Sequence, residues 1–169
     1  VGGGEIYDVR YLANTNREGL WALSTTAEAL SRNTHIIVHN IANEVNGPGT
    51  ENFLYEITAG MATLACTGAS FTTGPRAAGG KSHDHITPLE CRYTAEVTHA
   101  ASGLEPKFVN EIVKKLLPKY EDTIKTPDLG DKFQNLYNLD TMQPVPEWEA
   151  IYRKVKKEAI ELGIPMDPY

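Results

Sequence analysis

The apolar positions of this chain change period along its length, and each change marks an element. Ile6 to Leu12 (IYDVRYL) reads as a strand, with Arg10 an unusual cation inside it. Ala13-Asn14-Thr15-Asn16 supplies cap candidates for a helix from about Arg17 to Arg32, with Leu20, Trp21, Leu23, Ala27 and Leu30 on one stripe. Ile36, Ile37 and Val38 are a β-branched run of strand length and predict a buried strand. The chain then turns abruptly polar at His39, Asn40, Asn43, Glu44 and Asn46, and passes through Gly47-Pro48-Gly49. Thr50 caps the next helix, with Glu51 in its first turn and Phe53, Leu54, Ile57, Met61, Leu64 and Ala65 on the buried face. Ser70 to Thr73 is a short third strand, followed by a glycine-rich loop from Gly74 to Thr87. Thr87-Pro88-Leu89-Glu90 is a capping box with proline at the first helical position, and its helix runs to about Ser102.

Beyond Gly103 the pattern predicts helices and no further strand. Pro106 to Tyr120 is amphipathic through Phe108, Val109, Ile112, Val113, Leu116 and Leu117, and Pro118 should bend or end it. A polar connection over 122–131 leads to a short helix at Phe133 to Tyr137. The last helix, Glu147 to Leu162, turns Trp148, Ile151, Tyr152, Val155 and Ala159 inward and Lys154, Lys156 and Lys157 outward.

The order is therefore β-α-β-α-β-α and then helices, an α/β pattern. Its repeat is about 30 residues, as in a βα unit with parallel, adjacent strands. Three such strands leave two open edges. A minimal open sheet and part of a larger (β/α) barrel both fit, and the barrel is the more economical reading. Residues 1–104 then form three βα units, and 105–169 a helical extension packed on the same domain. Core-facing side chains such as Ile37 and Phe71 would lack cover. The missing part of the barrel or another copy of the chain, as in a homo-oligomer, is expected to supply it.

Composition narrows this picture. With 169 residues and 41% hydrophobic content the chain is globular, and a net charge of −6 argues against binding nucleic acid through its phosphates. No apolar run approaches the roughly 18 residues of a membrane span. Cys66 and Cys91 read as small buried thiols of a cytoplasmic protein rather than a disulfide. No signal peptide is evident. The start Val1-Gly2-Gly3-Gly4, without methionine, reads as a processed or truncated end, or a piece of something longer.

Three stretches could carry chemistry. The polar loop after Val38 stands at a strand's C-terminal end, where parallel α/β proteins bind ligands. Within it His39 and Glu44 could be an acid/base pair, and Asn43 and Glu44 are expected to be exposed. In GPRAAGGKSHDH, Gly74 to Gly79 fits G-x-x-x-x-G, but Gly80 stands where a phosphate-binding lysine belongs and Lys81-Ser82 is displaced by one residue. An anion cradle and a mobile glycine loop both remain open. His83-Asp84-His85 invites a metal reading, but adjacent residues point apart and no second cluster stands at ligand spacing, so no metal site is expected.

Arg10…Thr15-Asn16-Arg17-Glu18, Asn40…Gly47-Pro48…Thr50-Glu51 and Asp84…Thr87…Glu90…Arg92…Glu96-Val97 occur in one collinear series. Met142…Val145-Pro146…Tyr152…Lys156-Lys157…Leu162-Gly163 continues it. From about Tyr7 to Gly163 this series resembles the C-terminal part of the monomethylamine:corrinoid protein methyltransferase family. The resemblance implies the C-terminal portion of a TIM-type (β/α)8 barrel. The implied reaction moves a methyl group from monomethylamine to the cobalt of a corrinoid held by a partner protein. No cofactor is expected on this chain itself. The family's pyrrolysine belongs to the preceding half, without which the chain alone is expected to be inactive. Ile41 and Asn43 stand where the family carries Gln and Tyr, so those two roles do not transfer.

On the barrel reading Asn43 and Glu44 are the catalytic candidates, and Arg10, His39 and Asn40 the substrate-binding ones. Arg76, Lys81 and His83 form the rim. The alternative from another class is a non-catalytic α/β binding or assembly module whose glycine-rich loop holds an anion.

Overall fold

The computed structural model describes residues 2–3 and 6–168. Its elements are β1 (Gly2–Gly3), α1 (Arg17–Asn33), β2 (Val38–Asn40), α2 (Glu51–Cys66), β3 (Phe71–Thr72), α3 (Pro88–Ala101), α4 (Pro106–Tyr120), α5 (Phe133–Leu136), β4 (Tyr137–Asn138), β5 (Gln143–Pro144) and α6 (Pro146–Leu162). Two 3-10 turns, Ala77–Gly80 and Glu121–Lys125, complete it.

The helices start where their caps stand. The Asn16 side chain accepts from the Gly19 amide and Thr50 from the Phe53 amide, each meeting an orphan donor of a first turn. Thr87 and Glu90 cap α3 reciprocally, and the Trp148 Nε1–H from α6 reaches Thr87 Oγ1 at 3.2 Å. Pro118 does not end α4, which continues to Tyr120. It stands in the last turn, so one hydrogen bond is lost, and both Pro118 and Lys114 face solvent, where water can serve the freed carbonyl.

The three parallel strands lie in the order β1-β2-β3. Two of them differ from expectation. Ile6 to Leu12 is a turn: the Asp8 amide donates to the Ala13 carbonyl at 2.8 Å, and Leu12 adopts a left-handed conformation at φ 58°. The β1 strand is instead Gly2–Gly3, which carries no β-propensity signal. In β2 pairing begins only at Val38, so Ile36 and Ile37 stay 46% and 51% exposed. Phe71 on β3 is 47% exposed.

The C-terminal region also holds an antiparallel pair, β4 with β5, that the sequence pattern did not announce. It is two residues per strand and contains Pro144, too short for alternation to register.

The core is organised around α2. Every residue from Phe53 to Leu64 is buried, and the helix packs against α3, α4, α1 and α6 as well as β3. Such a helix is buried all round rather than amphipathic. Trp21 and Phe108, expected on buried stripes, are exposed, because Leu20, Leu23 and Ala27 of α1 and Val109, Ile112 and Leu116 of α4 face α2 instead. Cys66 and Cys91 are both free, and Cys91 is exposed rather than buried. Leu64→Ala, which deletes a fully buried side chain of α2, should cost about 2–5 kcal/mol in denaturant unfolding.

Candidate functional site

The C-terminal end of β2 opens into a buried polar layer. Val38 and Asn40 are buried, while the His39 ring stacks on Phe71 of β3 at 4.5 Å between centroids. The loop that follows does not reach into solvent. Asn43, Glu44 and Asn46 are all buried, contrary to the exposed positions expected for Asn43 and Glu44. The cause is cover from distant segments. The Gly74–Gly80 loop lies on one side, through the Ala78 amide to Asn46 O at 2.9 Å and the Gly79 amide to Glu44 O at 2.8 Å. The 126–131 segment lies on the other, through the Gly47 amide to Asp128 O at 2.8 Å and the Asp131 amide to Pro48 O at 2.9 Å.

Four buried side-chain atoms on β2 and in the loop after it have no hydrogen-bond partner among the described residues: His39 Nε2, Asn40 Nδ2, Asn43 Nδ2 and Glu44 Oε1. Each such atom costs roughly 1–3 kcal/mol, so folded chains keep few of them. All four lie between His39 and Glu44, the stretch that begins at the end of β2. The other side-chain oxygens of Asn43 and Glu44 are engaged. The Arg76 amide donates to Glu44 Oε2 at 2.8 Å, and Arg76 Nη1 donates to Asn43 Oδ1 at 2.9 Å. The Asn43 amide donates to Asn14 Oδ1 at 2.7 Å. Burial pushes the Glu44 carboxyl up to about 8, with the nearby Glu56 charge adding to this and the Arg76 amide opposing it. Glu44 therefore enters neutral solution largely protonated, with one free oxygen in a polar layer.

Beneath the loop stands Glu56, fully buried in the middle of α2. Its carboxylate accepts from Thr15 Oγ1 at 2.5 Å, the Val45 amide at 3.1 Å, the Asn46 amide at 2.9 Å and Asn46 Nδ2 at 2.6 Å. Burial raises this carboxyl above its ordinary value, and the four donors oppose that rise without reversing it. Asn46 passes the connection on, donating to Thr123 Oγ1 and accepting from the Asp128 amide, each at 3.0 Å. Tyr120 on α4 donates to the Thr15 carbonyl at 2.5 Å.

The structure thus brings together Asn43, Glu44 and Arg76, while His39 and Asn40, consecutive on β2 and so on opposite faces of it, lead into that loop. Arg10 stands apart, on an exposed turn and paired with Asp8 at 2.6 Å, because the segment carrying it is not a strand. Lys81 and His83 are exposed. The glycine loop is no open cradle, since its Arg76, Ala78 and Gly79 amides are spent on Glu44 and Asn46. Asp84 accepts from the Phe133 amide and from Gln134, and no group of three or more His, Cys, Asp or Glu among the described residues could hold a metal. Sequence reasoning passed over Glu56 and, although it noted Asn46 in the polar loop and Asn14 and Thr15 before α1, gave none of them a place in the site. The one available signal was an acid at Glu56 amid the apolar run of α2.

Comparison with known proteins gives this geometry a family. The profile of monomethylamine methyltransferase MtmB matches residues 3–164. Monomethylamine methyltransferase MtmB2 of Methanosarcina acetivorans is 31% identical over 156 residues, covering 92% of this chain and 34% of that protein. The Methanosarcina mazei monomethylamine methyltransferase MtmB is 30% identical with the same coverage. The crystal structure of the Methanosarcina barkeri enzyme matches with a TM-score of 0.91 at 29% identity, over 96% of this chain and 35% of that one. A hydroxylamine complex of MtmB matches equally. The chain spans about a third of the length of the curated relatives it matches. Over that span, in sequence and in fold alike, the chain belongs to the monomethylamine methyltransferase MtmB family.

Proposed function

We propose that this chain is the C-terminal part of a methyltransferase that moves a methyl group from monomethylamine to the cobalt of a corrinoid. The layer at the end of β2 is its share of the active site. The observation that carries this is the set of four unpartnered buried polar atoms from His39 to Glu44, in a chain of this family. A small polar substrate is the kind of ligand such atoms can satisfy. The amide groups of Asn40 and Asn43 orient it, and Glu44 holds a proton at Oε1 that it can exchange with an amine near neutral pH. The corrinoid arrives on its own protein as methyl acceptor, and the family's pyrrolysine lies in the portion preceding this chain.

On this reading residues 1–104 are three βα units of a TIM-type barrel and 105–169 an extension on it. The parallel order β1-β2-β3 supports that, as do the uncovered Ile36, Ile37 and Phe71, which the rest of the barrel or another copy would cover. Two free cysteines suit a cytoplasmic location. No helix among the described residues is long and apolar enough to cross a membrane.

The test is cobalt methylation by the full-length protein with monomethylamine and a corrinoid protein. Glu44→Gln should lower the rate by about 10²-fold and Asn43→Ala by about tenfold, each per folded enzyme. Because both residues are buried, Asn43→Ala will also lose stability, and the folded fraction has to be measured beside the rate. Unchanged rates remove these residues from the site. Absence of activity in the wild-type full-length protein with any methylamine removes the functional reading.

A further inference from the structure

Glu56 belongs to no element of the site's rim, yet it is the most heavily bonded carboxylate in the layer. All its partners lie in two loops, Thr15 ahead of α1 and Val45-Asn46 directly after Glu44. Asn46 then ties in a third segment through Thr123 and Asp128. A carboxylate in the middle of a buried helix is costly unless fully paired. For the fold alone, an apolar side chain among Phe53, Leu54 and Ile57 would serve α2 at least as well. What the carboxylate adds is a fixed path for the backbone that carries Glu44.

We infer that Glu56 is a positioning residue, holding the Glu44 carboxyl in the site through the Val45 and Asn46 amides; this rests on the methyltransferase reading above. It acts on Glu44 in a second way, by charge. The titratable and charged groups facing Glu44 are Glu56 from α2, Arg76 from the loop after β3 and Tyr120 from α4. Glu56 is the neighbour whose negative charge favours the protonated form of Glu44, and Arg76 opposes it.

The experiment uses the full-length protein and two variants at Glu56. Glu56→Gln keeps the shape and removes the charge; Glu56→Asp keeps the charge and shortens the reach. In the first measurement, Tm is followed against pH with and without Glu44→Gln. The gap that Glu44→Gln opens reports the titration of Glu44 alone. It should be closed near pH 4 and level off near pH 8 in the otherwise wild-type protein. With Glu56→Gln in both proteins it should level off about one pH unit lower.

In the second measurement, Glu56→Asp should lower kcat about tenfold with KM within about twofold. A purely structural Glu56 would lower Tm, leave the pH of the gap unmoved and leave kcat per folded enzyme unchanged, and that result overturns the inference. If Glu56→Gln does not fold, the kcat of Glu56→Asp decides alone. An inactive wild-type enzyme removes the methyltransferase reading, whereas the Tm gap still tests the link between Glu56 and Glu44.

Discussion

Gly47→Ala should destabilise the chain by about 3–5 kcal/mol, although at an ordinary loop position the same change is mildly favourable. Replacing glycine by alanine narrows the unfolded ensemble and is worth roughly 0.4–1 kcal/mol where the native backbone tolerates it. At Gly47 a Cβ would stand 1.7 Å from the carbonyl oxygen of Leu129 and 2.3 Å from its carbon, both main-chain atoms that cannot swing aside. Relief requires the 126–131 segment to lift. That forfeits the Gly47–Asp128 and Pro48–Asp131 hydrogen bonds and the Asp128 amide's bond to Asn46 Oδ1. Overpacking of about 1–3 kcal/mol plus roughly 1 kcal/mol for each bond lost outweighs the entropic gain. Gly74→Ala is the matched control, since nothing lies within 4 Å of its added Cβ, and it should stay within about 0.5 kcal/mol of wild type. Urea unfolding of both variants checks the pair. Equal midpoints would mean that the segment over the site is not held at Gly47.

Glu44→Gln should stabilise the protein at pH 8 and leave it unchanged near pH 4. The folded carboxyl titrates near 8 against an ordinary 4.5, so between those values the folded state holds a proton that the unfolded state has released. Stability is then fully present below about pH 4.5 and is lost as pH rises toward 8. At about 1.4 kcal/mol per pH unit over the span from 4.5 to about 8, that loss is on the order of 5 kcal/mol at most. Glutamine stays neutral throughout and can still accept the Arg76 amide hydrogen bond, so the variant escapes the loss. Glu90, buried under Trp148 and pushed up to about 7, acts in the same direction but is common to both proteins and cancels in the comparison. A Glu44→Gln protein that tracks wild type across pH 4–8 would show that Glu44 ionises inside the fold at no cost.

The helices of this chain were legible because their signals are local. Asn16, Thr50 and the Thr87–Glu90 box each sit within one turn of the amides they satisfy, and the apolar stripes of α4 and α6 repeat over several turns. Of the strands, β3 fell inside Ser70 to Thr73 and β2 began two residues into its β-branched run, but β1 was not legible, because two glycines cannot display a period. The IYDVRYL alternation was persuasive, yet the Asp8–Arg10 ion pair closes it into a turn. The polar loop was recognised as the place for chemistry from its position after Val38. Its burial was invisible, because the cover comes from residues 30 to 80 positions away: Ala78, Gly79 and Asp128. Glu56 was missed because a helical stripe is read by its apolar members. An acid among them carries meaning only once its partners, from Thr15 to Asn46, are known to converge on it.

The contrast between a helix buried on all sides and strands only two or three residues long bears on the order of assembly. Helix α2 meets α3 and α1 across connections of 21 and 17 residues, so closing these contacts costs about as much as pairing the strands, but each fixes many buried apolar side chains in return. The parallel pairings of β2 with β1 and β3 join residues more than thirty positions apart and fix few residues in return. Helix packing therefore returns more for each closure than strand pairing does, and the helical layer is expected to bring the strands side by side. The register of the sheet, and with it the alignment of His39 through Glu44, is a late product of helix packing rather than its cause.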